Sequence, residues 1–193
     1  MDKTIIWQQF SNDIGGVLTT TDLHDKIQVK VSFSHWTIVF DIHPSERTSG
    51  STLTRARATF LSKDDFLFTI YQQDIFSEIA KFFGMQDIEI GYPDFDNTFV
   101  IKTNNPKQIK ALFKNELIRQ TLIKYPYVYF DIRKNEGFLS DNFPKGVLEL
   151  YLHVVGVVLD IKELQAFYQL FVETLKQLCS IDSAYAQTPS INL

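Results

Sequence analysis

Cysteine is nearly missing from this chain, because Cys179 is the only one in 193 residues. No intrachain disulfide can form, so cysteine usage gives no sign of an oxidising compartment. Cys179 follows Leu175 and Leu178 near the end of a predicted helix, and no motif places a base beside it. We therefore expect a buried thiol rather than a nucleophile.

Glycine is also scarce, with eight residues, and the glycine motifs of phosphate-binding loops and nucleophile elbows are absent. The missing patterns are GxGxxG, GxxxxGKS/T and GxSxG. The four histidines are scattered and lack the HxxxH, HExxH or HxH spacing of metal sites. The sequence predicts no catalytic residue, no metal and no cofactor, and it argues against the common enzyme classes.

Long apolar runs are missing as well. The longest, Val154–Leu159, has Gly156 inside it and is far shorter than the roughly 20 residues that a membrane helix needs. The N-terminal residues MDKTIIWQQF lack the basic-then-apolar order of a signal peptide. We expect a cytoplasmic, soluble protein without membrane insertion.

Neither sign of charge dominates, since 19 lysines and arginines stand against 23 aspartates and glutamates, for a net charge of −4. The charges are spread along the chain, whereas neutralising a phosphate backbone needs clustered lysine and arginine. We therefore expect no nucleic acid among the partners.

Phenylalanine is what the chain has in abundance, with 17 residues, and hydrophobic residues make up 45% of the sequence. So many aromatic side chains predict a bulky core, an apolar ligand site or a partner surface, of which the core is the simplest. The length suits a single domain, which we place at residues 1–183, followed by a flexible tail at 184–193. A division into halves at 1–86 and 97–183 is the alternative.

The segment Lys26–His43 reads as a β-hairpin with a turn at Ser34 and His35. With that turn the facing pairs on one side are apolar: Phe33 with Trp36, Val31 with Ile38, Val29 with Phe40 and Ile27 with Ile42. The other side pairs Ser32 with Thr37, Lys30 with Val39 and Gln28 with Asp41. A slip of one residue would scramble this sorting, so the segment predicts an antiparallel sheet with one buried face.

Further elements follow from the spacing of apolar residues. Strands are predicted at 17–20, 52–60, 66–71, 97–103, 125–132, 137–139 and 147–155, and helices at 3–12, 74–83, 106–124 with a break near Asn115, and 161–179. We interpret the whole as an α+β fold, with a mostly antiparallel sheet and helices packed on one face. The element order of the two halves resembles that of the TATA-box-binding protein, which implies nothing about DNA binding.

An acidic connector at 87–96 contains the start of what resembles a calcium loop, in Asp94, Asp96 and Asn97. The later glycine and the bidentate glutamate of such a loop are absent at their required spacings. Pro93 and Phe95 instead favour a rigid turn that tucks an aromatic ring inward.

Arg55 and Arg57 project from one face of the predicted strand at 52–60. Two guanidinium groups on one strand face can bind a phosphate or a carboxylate. The alternative is a solvated strand face that pairs with Asp or Glu on a neighbouring strand. These two arginines are the ligand-binding residues that the sequence predicts.

Residues 94–122 resemble a stretch of an uncharacterised bacterial family known only as a domain of unknown function. In both, an acidic residue and a phenylalanine precede a strand, and a polar turn, a helix and a leucine-rich run follow. The matching residues are Asp94, Phe95, Phe99, Val100, Leu112 and Leu117. The resemblance implies a bacterial, uncharacterised protein, and it assigns neither an activity nor site residues.

Two functions stay open at this point. The first is a non-enzymatic binding or protein-interaction module, with an apolar small molecule between sheet and helices or a partner protein on an exposed sheet face. The second is an enzyme or binder that acts on an anionic small molecule through Arg55 and Arg57, assisted by His153 or Asp96. Convergence of those side chains in one pocket would favour the second function, and a continuous apolar patch or a dry internal cavity would favour the first.

Overall fold

The computed structural model describes residues 2–21, 26–45, 50–72, 85–134, 143–189 and 191. The described elements, in chain order, are α1 (Lys3–Asp13), β1 (Val17–Thr21), β2 (Lys26–Phe33), β3 (Trp36–Pro44), β4 (Thr52–Leu61), β5 (Phe68–Gln72), β6 (Gln86–Asp87), α2 (Pro93–Asp96), β7 (Phe99–Thr103), α3 (Pro106–Leu112), α4 (Glu116–Lys124), β8 (Tyr129–Arg133), β9 (Val147–Val155) and α5 (Ile161–Ser180). The helix predicted at 74–83 and the strand predicted at 137–139 lie outside the described residues.

The strands form a single sheet in the order β1-β2-β3-β4-β9-β8-β5-β7-β6. Every described pair of neighbouring strands is antiparallel. The α+β class with a mostly antiparallel sheet is therefore confirmed. The strand β5 falls in the first of the two halves considered above, yet it lies between β8 and β7 of the second.

The hairpin β2–β3 has the register that its sequence predicts. Phe33 faces Trp36, Val31 faces Ile38 and Val29 faces Phe40, with Gln28 opposite Asp41 on the other side. Ser34 occupies the turn with a positive φ of 52°. The apolar side is buried, because the exposed fraction of every side chain in those three facing pairs except Phe33 is 5% or less.

The helices all pack on this apolar side. Each contributes buried residues to one continuous core, for example Phe10 from α1, Phe95 from α2 and Phe171 from α5. The Phe171 ring lies 6.3 Å from that of Phe40 on β3 and 6.2 Å from that of Phe130 on β8, so α5 packs across the central strands of the sheet. Burial on this scale is the main stabilising term of the fold.

Asparagine side chains begin two of the helices. The side chain of Asn105 accepts a hydrogen bond from the Gln108 amide at the start of α3, and that of Asn115 accepts from the Leu117 and Ile118 amides at the start of α4. Each cap satisfies amide groups that a helix start leaves without partners. The predicted break near Asn115 is confirmed, and its cause is this second cap.

Three strands begin later than the sequence predicts, and one of them is β5, which starts at Phe68 rather than at residue 66. Tyr125 caps the end of α4, so β8 starts at Tyr129, and Asn97 caps the end of α2, so β7 starts at Phe99. The segment that the sequence assigns to a flexible tail is attached at its beginning. Ala184 is buried and forms a bridge with Ser62, and the Tyr185 amide donates to the carbonyl of Leu61.

Candidate functional site on the second face of the sheet

The sheet has a second face, turned away from the helices, which we call the polar face. It carries the alternate side chains of the strands. The residues from β3, β4 and β9 are Val39, Asp41, Leu53, Arg55, Arg57, Thr59, Glu149, Tyr151, His153 and Val155. Those from β8, β5 and β7 are Tyr129, Asp131, Arg133, Thr69, Tyr71, Val100 and Lys102. Charged and aromatic side chains thus lie on the face of the sheet that does not contribute to the main core.

Arg55 and Arg57 both bind Asp41 of the neighbouring strand, and we call these three residues the arginine patch. Nε and Nη2 of Arg55 donate to the two carboxylate oxygens at 2.8 and 2.9 Å. Nη2 of Arg57 donates to Oδ2 at 2.9 Å. The fork of Arg55 and the carboxylate form a bidentate pair, the geometry in which such bonds are strongest.

The arginine patch has more positive than negative charge, because two guanidinium groups share one carboxylate. The side chains of Arg55 and Arg57 are 16% and 20% exposed, and that of Asp41 is 10% exposed. Nε of Arg57 is buried and has no hydrogen-bond acceptor among the described residues. A buried donor without a partner is unfavourable. An added acceptor could reach only the parts of the two guanidinium groups that remain exposed.

Two apolar residues border the arginine patch near the start of β4 and at the end of β9. We call these residues, Leu53 and Val155, the apolar margin. Leu53 precedes Arg55 by two residues on β4 and faces Val155 of β9. Val155 is the last residue of β9 and is 68% exposed. A ligand that reached Arg55 from this end would meet apolar surface beside the positive charge.

Aromatic rings lie on the other side of the arginine patch. His153 is the cross-strand partner of Arg55 and of Tyr129, and Tyr151 is that of Arg57. The rings of Tyr129 and His153 stack at 4.8 Å, and the ring of Tyr151 lies 5.5 Å from His153. Tyr71, Tyr129 and Tyr151 form a second buried cluster, separate from the main core.

Arg133 is another charged residue of the polar face and lies beyond Tyr151. Its guanidinium lies 3.4 Å from the centre of the Tyr151 ring and binds Glu149 at 2.9 and 3.0 Å. Burial disfavours the charge of Arg133, but the carboxylates of Asp131 and Glu149 outweigh it and raise its pKa. Burial also raises the pKa of Tyr129 and of Tyr151. The two tyrosines are therefore neutral hydrogen-bonding groups at physiological pH.

The residues proposed to assist the arginines fall in different places. His153 is a direct neighbour of Arg55 on the polar face. Asp96 belongs to α2 on the helix side of the sheet, and its carboxylate accepts from the backbone amides of Ile90, Gly91 and Tyr92 at 2.8–2.9 Å. Asp96 thus closes a turn and takes no part in the arginine patch. The predicted inward position of Phe95 is confirmed, since its exposure is 0%.

Two other places, the Cys179 thiol and a surface groove, contain groups that could react, but their surroundings do not favour a reaction. Burial raises the pKa of the Cys179 thiol, which makes it a weaker nucleophile. A surface groove of about 540 Å³ lies between α3 and the residues around Asp182. Its polar groups already bind one another: Lys63 pairs with Asp182, and Asp64 accepts from Gln108 and Ser183.

The sequence located Arg55, Arg57 and His153 on this surface. Its alternative, that the arginines pair with an acidic residue of a neighbouring strand, is also observed, because both bind Asp41 of β3. The missed residues with a role in this surface are Asp41, Tyr129, Tyr151 and Arg133. Asp41 carried a signal, because the hairpin pattern already places it on the polar face. The tyrosines carried none, since the strand order that joins β4, β9 and β8 has no local trace in the sequence.

None of the helices in the described part of the chain combines the length and hydrophobicity that crossing a bilayer requires.

Comparisons with known proteins identify no family and report one distantly similar structure. No family model matches the chain, and no curated protein matches it. One solved structure with a similar arrangement is that of the mycobacterial trehalose monomycolate transport factor A, TtfA, at a TM-score of 0.49 and 7% sequence identity over 98% of each chain. A similarity of this degree bears on neither activity nor ligand. The resemblance of residues 94–122 to an uncharacterised bacterial family stays a prediction.

Proposed function

We propose that this chain is a non-enzymatic binding module, and that the arginine patch with its apolar margin takes an acidic segment of a partner protein. The observation that carries the proposal is a pair of guanidinium groups that share one carboxylate and stay partly exposed, with side-chain exposures of 16% for Arg55 and 20% for Arg57. A carboxylate from a partner would accept from the exposed parts of these groups and balance the charge.

The surroundings of the arginine patch support a binding role rather than catalysis. Arginine and tyrosine are the residues that most often dominate the energy of protein interfaces. The described part of the chain holds no group of three or more histidine, cysteine, aspartate or glutamate side chains fit for a metal ion. Partial burial raises the pKa of its one thiol, that of Cys179. Cytoplasmic location and bacterial origin stay predictions.

The apolar margin favours a peptide over a bare anion. Val155 and Leu53 offer contact surface next to Arg55, so a segment with an apolar residue beside an acidic one fits both parts of the site. An apolar ligand between sheet and helices has less support. The described side chains of that layer pack against one another in one continuous core with exposures of 9% or less.

The test uses two short peptides, one alternating Glu with Leu and the other alternating Gln with Leu. Calorimetric titration of the full chain should show saturable binding of the Glu peptide and weaker or no binding of the Gln peptide. Arg57→Gln should weaken binding of the Glu peptide about tenfold, since a charge-assisted hydrogen bond is worth about 1.5–3 kcal/mol. This variant keeps the bidentate pair of Arg55 with Asp41.

Lys102→Gln is the matched control. It removes the same charge from the far end of the polar face, where Lys102 pairs with Asp87 at 3.4 Å. Equal weakening by both variants would mean a general charge effect and would sink the site assignment. Equal binding of the Glu and Gln peptides would do the same.

The second candidate function is a site for a small anion, in an enzyme or a binder, on the same arginines. The position of His153 beside Arg55 favours it, because an imidazole there could share an anionic ligand. Inorganic phosphate is the probe. Saturable phosphate binding that Arg57→Gln abolishes, together with a failure of the Glu peptide to bind, would favour this function over the first.

A further inference from the structure

The two edges of the sheet differ in how they are protected. One edge is β6, with two residues that are both exposed, and its Asp87 is charged. The other edge is β1, whose five residues VLTTT contain neither a charge nor a proline. Short strands, charges and prolines are the usual means by which proteins keep a sheet edge from pairing with another chain. The β6 edge has two of these means, and the β1 edge has none.

The backbone of β1 is paired on one side only within the described part of the chain. Its residues pair one by one with Lys26–Lys30 of β2. Among the described residues, no backbone hydrogen bond reaches its outer side. Alternate amide and carbonyl groups of an edge strand point outward, where only another strand can pair them in regular order. Valine and threonine also favour the extended conformation.

We infer that β1 is a self-association surface, at which β1 of a second copy of this chain pairs antiparallel and continues the sheet. The contrast between the edges selects this occupant. Pairing of β1 with β6 would build an open chain of copies, but β6 is too short and too charged to accept it. Pairing of β1 with itself about a two-fold axis needs one edge per copy and closes at a dimer.

The composition of β1 fits such a pairing. With the axis at Thr19, all five residues pair: Thr19 faces its own copy, Leu18 faces Thr20, and Val17 faces Thr21. Threonine pairs across strands are favourable, and no like charges meet. The contact is small compared with the roughly 1,200–2,000 Å² of stable interfaces, so the dimer is weak and depends on protein concentration.

Cross-linking tests the register directly. The Cα atoms of residues that face each other in an antiparallel pair lie about 4.5–5.5 Å apart, which suits a disulfide. In the full chain carrying Cys179→Ser, Thr19→Cys should form a disulfide-linked dimer under mild oxidation. Gln86→Cys, on the protected edge, should form far less in the same background. Equal cross-linking at the two positions would overturn the inference.

Sedimentation velocity tests the association without a cysteine. The unmodified chain should shift from monomer towards dimer as its concentration rises. Val17→Lys should hold it at monomer, and Gln86→Lys should leave the shift unchanged, with circular dichroism used to check that both variants are folded. A chain that stays monomeric at its highest soluble concentration, or a dimer insensitive to Val17→Lys, would contradict the inference.

Discussion

The two faces of the sheet are held by different kinds of interaction. The helix side is a continuous apolar layer in which Phe40, Phe130 and Phe171 meet. The polar face of the same strands carries arginines, carboxylates and tyrosines in contact with one another. Burial of apolar area accounts for the first face, whereas charged groups on a sheet add little to stability and are kept for other reasons. The comparison assigns stabilisation of the fold to the helix side, and the proposed binding site lies on the other face.

The largest effect should come from removing a ring on the helix side. Phe171→Ala should lower the free energy of unfolding by about 4 kcal/mol, because it leaves a cavity between α5 and the central strands of the sheet. Urea denaturation measures this. Ile5→Ala, at a side chain 64% exposed on α1, should change it by less than about 0.5 kcal/mol. Similar losses from both would contradict the placement of the core.

The next effect should come from the carboxylate of the polar face. Asp41→Ala should lower the free energy of unfolding by about 2 kcal/mol, since it leaves two half-buried guanidinium groups facing each other without an acceptor. Asp87→Ala is the control, because Asp87 pairs with Lys102 but is 71% exposed. Its loss should be close to zero. If the two losses are alike, the arginine patch is an ordinary surface ion pair.

The third largest effect should be a loss of folding stability at alkaline pH. Burial raises the pKa of Tyr129 and Tyr151, so both hold their protons in the folded chain when an unfolded tyrosine has lost its own. The stability they contribute is present below about pH 10 and falls above it, by up to about 1.4 kcal/mol per pH unit for each tyrosine. Denaturation series across this range should show a shallower decline in Tyr129→Phe. An unchanged decline would contradict the burial of Tyr129.

The smallest effect on stability should be at the apolar margin. Val155→Ala should change the free energy of unfolding by less than about 0.5 kcal/mol, because the side chain is 68% exposed. It should nevertheless weaken binding of the Glu–Leu peptide a few-fold in calorimetry. A variant that binds the peptide as well as the unmodified chain would remove the margin from the site.

The sequence predicts a structural feature well when neighbouring residues in the chain determine it, and poorly when residues far apart in the chain determine it. The register of β2 and β3 follows from alternation within eighteen neighbouring residues, Lys26–His43, and it is confirmed. The break between α3 and α4 follows from a capping asparagine, Asn115. Both are local, and local patterns are what a sequence shows.

The site is less accessible to the same reasoning. Arg55 and Arg57 share a face because they lie on one strand, but their common partner Asp41 depends on the register between β3 and β4. The contact of Tyr129 with His153 depends on β8 lying beside β9. Strand order is decided by the burial of the whole sheet, so no short segment reveals it.

The side-chain Nε–H signal of Arg57 tests the central claim most directly. In a ¹⁵N–¹H correlation spectrum, assigned with Arg57→Lys, this signal should shift and saturate as the Glu–Leu peptide is added, because the partly exposed guanidinium group of Arg57 gains an acceptor. The corresponding signal of Arg133, already bound to Glu149, should stay in place. An Arg57 signal that does not move while the peptide binds would contradict the claim.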